Sequence, residues 1–180
     1  MTKYYTGNGD SGKTSIMSGA SLPKDDVLID AIGDVDELNS AVGAALFYVR
    51  DDVLRKQLKL IQNELFSIGA LLAAVESKEF SKAKIERKQI ERLENEINTM
   101  GTKMPELTKF VLPDGSEESV HLHLARSVAR RAERKVSGAA QKYKINTEVL
   151  AYLNRLSSFL FAAALYINHK NGIEESNPVY

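Results

Sequence analysis

The chain has no cysteine. That removes disulfides, thiolate nucleophiles and cysteine–zinc sites together. Nor is there an excess of charge of either sign: 24 lysines and arginines stand against 24 aspartates and glutamates, so no global field recruits nucleic acid or an anionic membrane. The opening residues, Met1-Thr2-Lys3-Tyr4-Tyr5-Thr6, lack the apolar stretch of a secretory signal, and no apolar run approaches the length of a membrane span. Strand-like alternation is missing as well. What remains is one ordinary domain of 180 residues, 43% hydrophobic and 27% charged, with chain enough for a sizeable core and expected in the cytoplasm.

What is present is helical periodicity. Val35, Leu38, Val42, Ala45 and Val49 recur at three- and four-residue spacing and predict a helix from Asp34. Leu54, Leu58, Ile61, Leu65, Ile68 and Leu72 form an unbroken stripe for a second. A charged third has Ile85, Ile90, Leu93, Ile97 and Met100 as its narrow apolar edge and ends at Gly101 and Pro105. Phe110-Val111-Leu112-Pro113-Asp114-Gly115 reads as a short extended piece and a turn. The fourth helix starts near Ser116, with Glu117 and Glu118 favourable to its N-terminal dipole, and runs to about Ser137-Gly138. The fifth, capped by Asn146 or Thr147, places Val149, Leu153, Leu156, Leu160, Ala163 and Ile167 on one face and stops at Asn171-Gly172. The fold expected is all-α: an antiparallel five-helix bundle over residues 25–172, preceded by a flexible loop over 1–24 and followed by a polar tail over 173–180 that is expected to fray.

The loop holds the most conspicuous motif. Gly7 to Thr14, within Thr6-Gly7-Asn8-Gly9-Asp10-Ser11-Gly12-Lys13-Thr14, satisfies the P-loop pattern G-x-x-x-x-G-K-[ST]. That motif binds phosphate where a buried strand enters it and a helix leaves it. Here Met1 to Tyr5 is too short and polar to be the strand, and Ser15 to Leu22 holds Gly19 and meets Pro23. The loop suits phosphate, but the P-loop fold is not expected.

The bundle alone does not require the arginines of the fourth helix. Arg126, Arg130 and Arg134 share one face, with Arg131 and Glu133 beside them. One reading is a solvated face supported by Glu133. The other notes that Leu124, Val128 and Ala132 form a thin core stripe, so the guanidinium groups sit near packed interior or a neighbouring subunit and need carboxylates or phosphates. Asp34, Asp36 and Glu37 are candidate partners, with Asn39 beyond them, or else first-turn acids of their own helix. Asn154 and Arg155 interrupt the apolar stripe of the fifth helix, where an asparagine is either a register device or a ligand. Glu118 and His121 have the Glu-x-x-His spacing of di-iron bundles, but neither His123 nor His169 completes a second copy. The two histidines of the fourth helix read as ordinary residues near a helix start, either of them within reach of a ligand.

Six motifs in order give these fragments a common meaning. They are the Thr6–Thr14 word; Pro23-Lys24-Asp25-Asp26; Gly33-Asp34-Val35-Asp36-Glu37-Leu38-Asn39-Ser40; Phe110-Val111-Leu112-Pro113; Arg126-Ser127-Val128-Ala129-Arg130-Arg131-Ala132-Glu133-Arg134; and Tyr152-Leu153-Asn154-Arg155-Leu156-Ser157. With them the chain resembles the PduO-type ATP:cob(I)alamin adenosyltransferases, corrinoid adenosyltransferases built as trimeric five-helix bundles, from about Tyr5 to Asn168. The resemblance implies that Thr6, Gly7, Gly9, Asp10, Gly12, Lys13, Thr14 and Lys24 surround the triphosphate of ATP at a subunit interface. It makes Arg126 and Arg130 nucleotide and interface arginines, with Asp36 the partner of Arg126 across the interface. Glu133 and Asn154 match nucleotide-site positions. Phe110, with Val111 beside it, matches the aromatic that closes over the lower face of the corrin. Arg130, Asn154 and Phe110 are the residues given catalytic weight. Two positions depart from the family pattern: Asp114-Gly115 stands where two glycines are frequent, and Ser158 where an aspartate is frequent.

The implied reaction transfers the 5′-deoxyadenosyl group of ATP to cob(I)alamin and releases triphosphate, with Mg²⁺ carried mainly by ATP and no metal ligand from the protein. Homotrimers and a flavin-dependent reductase are the partners implied; nucleic acid and membrane are not among them. A helical protein that binds ATP without chemistry, and a P-loop ATPase, are the competing readings. The first leaves Phe110 and the arginine and asparagine words unexplained, and the second lacks its sheet.

Overall fold

The structure, a computed structural model, describes residues 4–75, 77 and 83–179. Residues 1–3 of the expected loop and Tyr180 of the expected tail lie outside the described residues. Among the described residues the architecture is five helices: α1 Val27–Tyr48, α2 Asp52–Ala73, α3 Arg87–Gly101, α4 Glu117–Ala139 and α5 Thr147–Lys170. α1 packs between α2 and α4, and α5 between α4 and α3. Polar side chains bridge the remaining seam between α2 and α3. Arg92 donates to Glu64 at 2.5 Å and Gln57 to Glu96 at 2.7 Å, and the Tyr152 hydroxyl of α5 donates to the same Glu64 at 2.6 Å. Burial, then the Glu64 charge, pushes the Tyr152 phenol far above its ordinary value, so it stays a donor.

The expected stripes of α1, α2 and α5 are buried throughout. The start of α1 differs. The helix begins at Val27, two turns before Asp34, because Asp26 caps it by accepting from the Leu28 amide at 2.9 Å, and because Leu28 and Ala31 prolong the stripe upstream. That cap is held in turn by Lys142 (2.7 Å) and the Tyr143 hydroxyl (3.0 Å), both beyond the end of α4. Asp34, Asp36 and Glu37 are therefore mid-helix residues, not first-turn acids. α4 differs too: Leu124 is 56% exposed, and the core face is Ala125, Ala129, Ala132 and Val136 with Val128. The helix also continues through Gly138 to Ala139.

Three further expectations are corrected. A small antiparallel hairpin, β1 Lys13–Ser15 and β2 Ser21–Pro23, stands where no strand was expected, its three-residue strands being too short to display alternation. The Met17 amide bonds the Ala73 carbonyl at 3.0 Å and so fixes the hairpin at the end of α2. The polar tail, expected to fray, is bonded to the Phe110 turn over its described length: the Leu112 amide donates to Ser176 O at 2.8 Å, and Asn177 Nδ2 donates to Phe110 O at 2.9 Å. Finally, α5 is long and apolar enough to match a membrane span by length and composition, although no such run was expected. Most of its apolar stretch, 61%, is buried inside the bundle, as its place between α3 and α4 requires.

The Asp26 cap sets a pH dependence. The Lys142 ammonium, then the Leu28 N–H, hold the Asp26 carboxyl below its ordinary value in the folded chain. A depressed folded pKa adds stability that is complete above the unfolded carboxylate range and lost as pH falls through the folded value. The stability gap between the native chain and Asp26→Asn, measured by urea unfolding, is expected at neutral pH and should close as pH drops below the carboxylate range. A gap that persists there would sink the assignment.

Candidate functional site

The loop before the bundle is a run of tight turns. The Asp10 amide donates to Gly7 O and the Gly12 amide to Gly9 O, both at 3.2 Å, while Thr6 Oγ1 accepts from the Asn8 amide at 3.3 Å. Gly7 and Gly12 adopt φ of +76° and +78°, the left-handed region that side chains resist. Lys13 and Thr14 then enter β1, so a strand and not a helix N-terminus follows the Gly-Lys-Thr word, and the P-loop geometry is excluded. Lys24 returns over this loop: its amide bonds Gly12 O at 2.9 Å, and a Cβ built at Gly9 would lie 3.2 Å from its ammonium. Gly9 therefore leaves room for a cation that, with Lys13, faces an exposed loop.

A second cluster lies in a cleft of about 390 Å³ between α4 and α5, lined by Arg126, Arg130, Ser157, Ser158 and Phe161. Three levels follow one another along the two helices. At the first, Asn154 Nδ2 donates to Glu133 Oε1 at 2.8 Å, so Glu133 supports Asn154 and not the arginine row. At the second, Arg130 is exposed opposite Ser157 and Ser158, with no ion pair among the described residues. At the third, the half-buried Arg126 guanidinium stands 5.9 Å from the Phe161 ring centroid. Its Nε has no hydrogen-bond partner among the described residues, and burial, then the neighbouring Arg130 charge, lowers its pKa.

The acids of α1 go elsewhere. Asp34 accepts from Arg131 Nε at 2.7 Å, Glu37 pairs with the same guanidinium, and Asp30 pairs with Lys135. Arg131, which the row of Arg126, Arg130 and Arg134 overshadowed, is the residue neutralised within the chain. Its pKa is raised by Glu37 and then Asp34. Asp36 is exposed on α1, and no bond joins it to Arg126 within the chain.

The Phe110 turn is at the other end of the bundle from the hairpin, where α4 begins and α5 ends. Phe110 is 80% exposed and so is not part of the core. Val111 is half-buried and lines a groove of about 800 Å³ with Met104, Leu165 and Ile173. One copy of the chain therefore brings together Lys13, Thr14 and Lys24, and separately Arg126, Arg130, Glu133 and Asn154, but it does not bring either group to Phe110.

Asn168, which sequence reasoning passed over, and three residues at the start of α4 stand out. His123, expected to be an ordinary residue near the helix start, is only 2% exposed and meets Phe161 edge-on, with both ring nitrogens unpartnered among the described residues. Burial, then Arg126, lowers its pKa against the pull of Asp114. Asn168 is fully buried at the end of α5, and Gly115 adopts φ +111° beside it. An asparagine in the apolar stripe after Leu160, Ala163 and Ile167 was a visible signal. The Glu118–His121 pair is used structurally: Glu118 accepts from the Arg50 amide at 2.6 Å, and the His121 ring stacks on Tyr48 at 3.9 Å.

Fold and site together define a helical-bundle protein whose phosphate-type loop and arginine cleft stand outside any P-loop sheet. Comparison with known proteins sharpens this class. The family model for cobalamin adenosyltransferase matches residues 4–167. The corrinoid adenosyltransferase of Bacillus subtilis is 40% identical over 176 residues, covering 95% of this chain and 89% of that protein. The human corrinoid adenosyltransferase MMAB is 37% identical over 97% of this chain and 72% of its own. A variant of the PduO-type ATP:corrinoid adenosyltransferase from Lactobacillus reuteri, solved in complex with cobalamin and ATP, superposes with a TM-score of 0.92 at 36% identity, over 99% of this chain and 100% of that one. The chain belongs to the cobalamin adenosyltransferase family.

Proposed function

We infer that this chain transfers the 5′-deoxyadenosyl group of ATP to cob(I)alamin, forming adenosylcobalamin and releasing triphosphate. The observation that carries this reading is the α4–α5 cleft, in which Arg130, without an ion pair among the described residues, stands between the Asn154–Glu133 hydrogen bond and the half-buried Arg126 of a chain in this family. The corrinoid adenosyltransferases named above, and the Lactobacillus reuteri structure with both substrates bound, support it.

Chemically, Co(I) attacks C5′ of ATP, a Co–C bond forms, and the C5′–O bond breaks with its electron pair leaving on triphosphate. Cob(I)alamin is a strong enough nucleophile that no general base is needed, so the absence of cysteine costs nothing. The protein positions two reactants and stabilises charge on the leaving group. Arg130, Lys13, Lys24 and the amides of Gly7 and Gly9 are the donors available for that charge, with Thr6, Asp10, Gly12 and Thr14 shaping the loop. Asn154, held by Glu133, is a fixed polar contact for the nucleoside. Mg²⁺ would neutralise part of the triphosphate charge. The ion is proposed to be held mainly by ATP.

The assembly proposed is a cytoplasmic homotrimer with the sites at its interfaces. The Arg126 Nε without a partner and the exposed Asp36 support it, because a second copy can bring that carboxylate to that guanidinium. It also supplies what one copy does not, since hairpin and Phe110 turn are tied to opposite ends of the bundle. A flavin-dependent reductase is the proposed electron donor for Co(II). Phe110, exposed at the turn, is proposed to replace a lower axial ligand with apolar surface, which eases that reduction.

Mixing the protein with ATP, Mg²⁺ and reduced cobalamin should give a light-sensitive adenosyl corrinoid, followed by absorbance, together with triphosphate. Release of phosphate without cobalamin would instead favour an ATPase. Arg130→Ala should slow turnover by about 2.7–4 kcal/mol of barrier, as loss of one well-placed donor does; unchanged turnover at saturating ATP would remove Arg130 from the reaction. Phe110→Ala should lower turnover from Co(II) far more than turnover from chemically pre-reduced Co(I), and equal losses in both assays would refute its role.

A further inference from the structure

Asn168 sits at a junction that neither the arginine cleft nor the phosphate loop uses. Its side chain is fully buried, yet it bonds three residues in two segments, the turn before α4 and the C-terminal tail. Its Oδ1 accepts from the Ser116 amide at 3.0 Å and the Ser116 hydroxyl at 3.3 Å, which places it on the N-cap of α4. Its Nδ2 donates to Asp114 O at 3.1 Å and to Glu175 Oε1 at 3.4 Å. The orientation of the amide is dictated by its partners, because the Ser116 N–H only donates and the Asp114 carbonyl only accepts. The backbone of Asn168 joins in as well, its carbonyl accepting from the Ile173 amide at 2.9 Å.

The turn is shaped around this one amide. A Cβ at Gly115 would lie 2.2 Å from Nδ2, 2.3 Å from Oδ1 and 2.5 Å from Cγ of Asn168, so the side chain fills the space that any other residue at 115 would need. Asp114, by contrast, is tolerated in place of a glycine, since its carboxylate points to the tail and meets the Ser176 amide at 3.4 Å. From this clamp the bonds run outward to the aromatic: Asp114 N to Leu112 O at 2.9 Å, Leu112 N to Ser176 O at 2.8 Å, and Asn177 Nδ2 to Phe110 O at 2.9 Å. Phe110 itself is 80% exposed and has almost no packing of its own. Its placement therefore depends on backbone bonds, and those converge on Asn168.

We propose that Asn168 is a positioning residue for the corrinoid: by bonding Ser116, Asp114 and Glu175 at once, it sets the turn and the tail that together hold Phe110 in place. This rests on the reading of Phe110 given above. A displaced aromatic loses an orientation-dependent effect steeply, because a misplacement on the order of 1 Å can cost as much as removing the group.

Asn168→Ala and Gly115→Ala, which drives a methyl into the space of the amide, are compared with Phe110→Ala in the Co(II) and pre-reduced Co(I) assays. The expected result is a loss of at least about tenfold in turnover from Co(II), with a loss below about threefold from Co(I), in both variants. The spectrum of bound Co(II) should shift toward that of the species keeping its lower axial ligand, and the KM for ATP should not move. Equal loss in the two assays, or no loss in either, would overturn the proposal. So would failure of both variants to fold by circular dichroism, since Asn168 would then be a fold residue only. Should Asn168→Ala alone fail to fold, Gly115→Ala decides. If Phe110→Ala shows no difference between the two assays, the reading of Phe110 fails instead, and with it the premise of the clamp.

Discussion

The contact on which the rest depends is that between α4 and α5. α4 buries Ala125, Ala129 and Ala132, with Val128 and Val136, and α5, packed along it, buries Leu153, Leu156, Leu160 and Ala163. Alanine seams let two helices approach closely, since the side chains at the contact set the interaxial distance. Close approach along an antiparallel pair brings the residues flanking the seam into register: Glu133 with Asn154, Arg130 with Ser157 and Ser158, Arg126 with Phe161. The polar cleft is thus a by-product of apolar packing. It lies between two packed helices, which suits its proposed part in orienting ATP.

Charge is divided on α4 with the same logic. Arg131 and Lys135 turn toward α1 and are neutralised there by Asp34, Glu37 and Asp30. Arg126 and Arg130 turn toward α5 and find no carboxylate in the described residues of their own chain. Two positive groups in one partly apolar cleft repel, and burial adds to the cost. Anionic phosphate and the carboxylate of a second copy are what such a cleft favours, which is why the proposed substrate and the proposed assembly account for the same observation. The 23 residues of α4, roughly 35 Å of helix, keep the hairpin end and the Phe110 end of one copy apart.

Much of this was legible in order along the chain. The stripes of α1, α2 and α5 were readable because each buried face repeats every three to four residues, and the cap positions at Ser116 and at Asn146 or Thr147, of which Asn146 is the cap, were readable because such side chains act within their own turn. Gly7 to Thr14 showed its unsuitability as a P-loop in its flanks alone. The start of α1 was not legible, since Asp26 is secured by Lys142 and Tyr143, more than a hundred residues away. Nor was the hairpin, whose strands are too short for a pattern, nor the tail, whose order comes from the Phe110 turn. Leu124 was placed in the core by spacing and lies outside it, because the neighbours of α4 on both sides, and not its own periodicity, decide which face is covered.

By itself the sequence determined the five helices and where the fourth and fifth begin, because those are properties of local spacing and side-chain chemistry. The tertiary structure alone decided which charges cancel and which stay free, that Phe110 faces solvent, and that a buried asparagine ties the turn behind it to the C-terminal tail. Each of these depends on which long-range neighbour reaches a group first, and that contest is settled only when the helices pack.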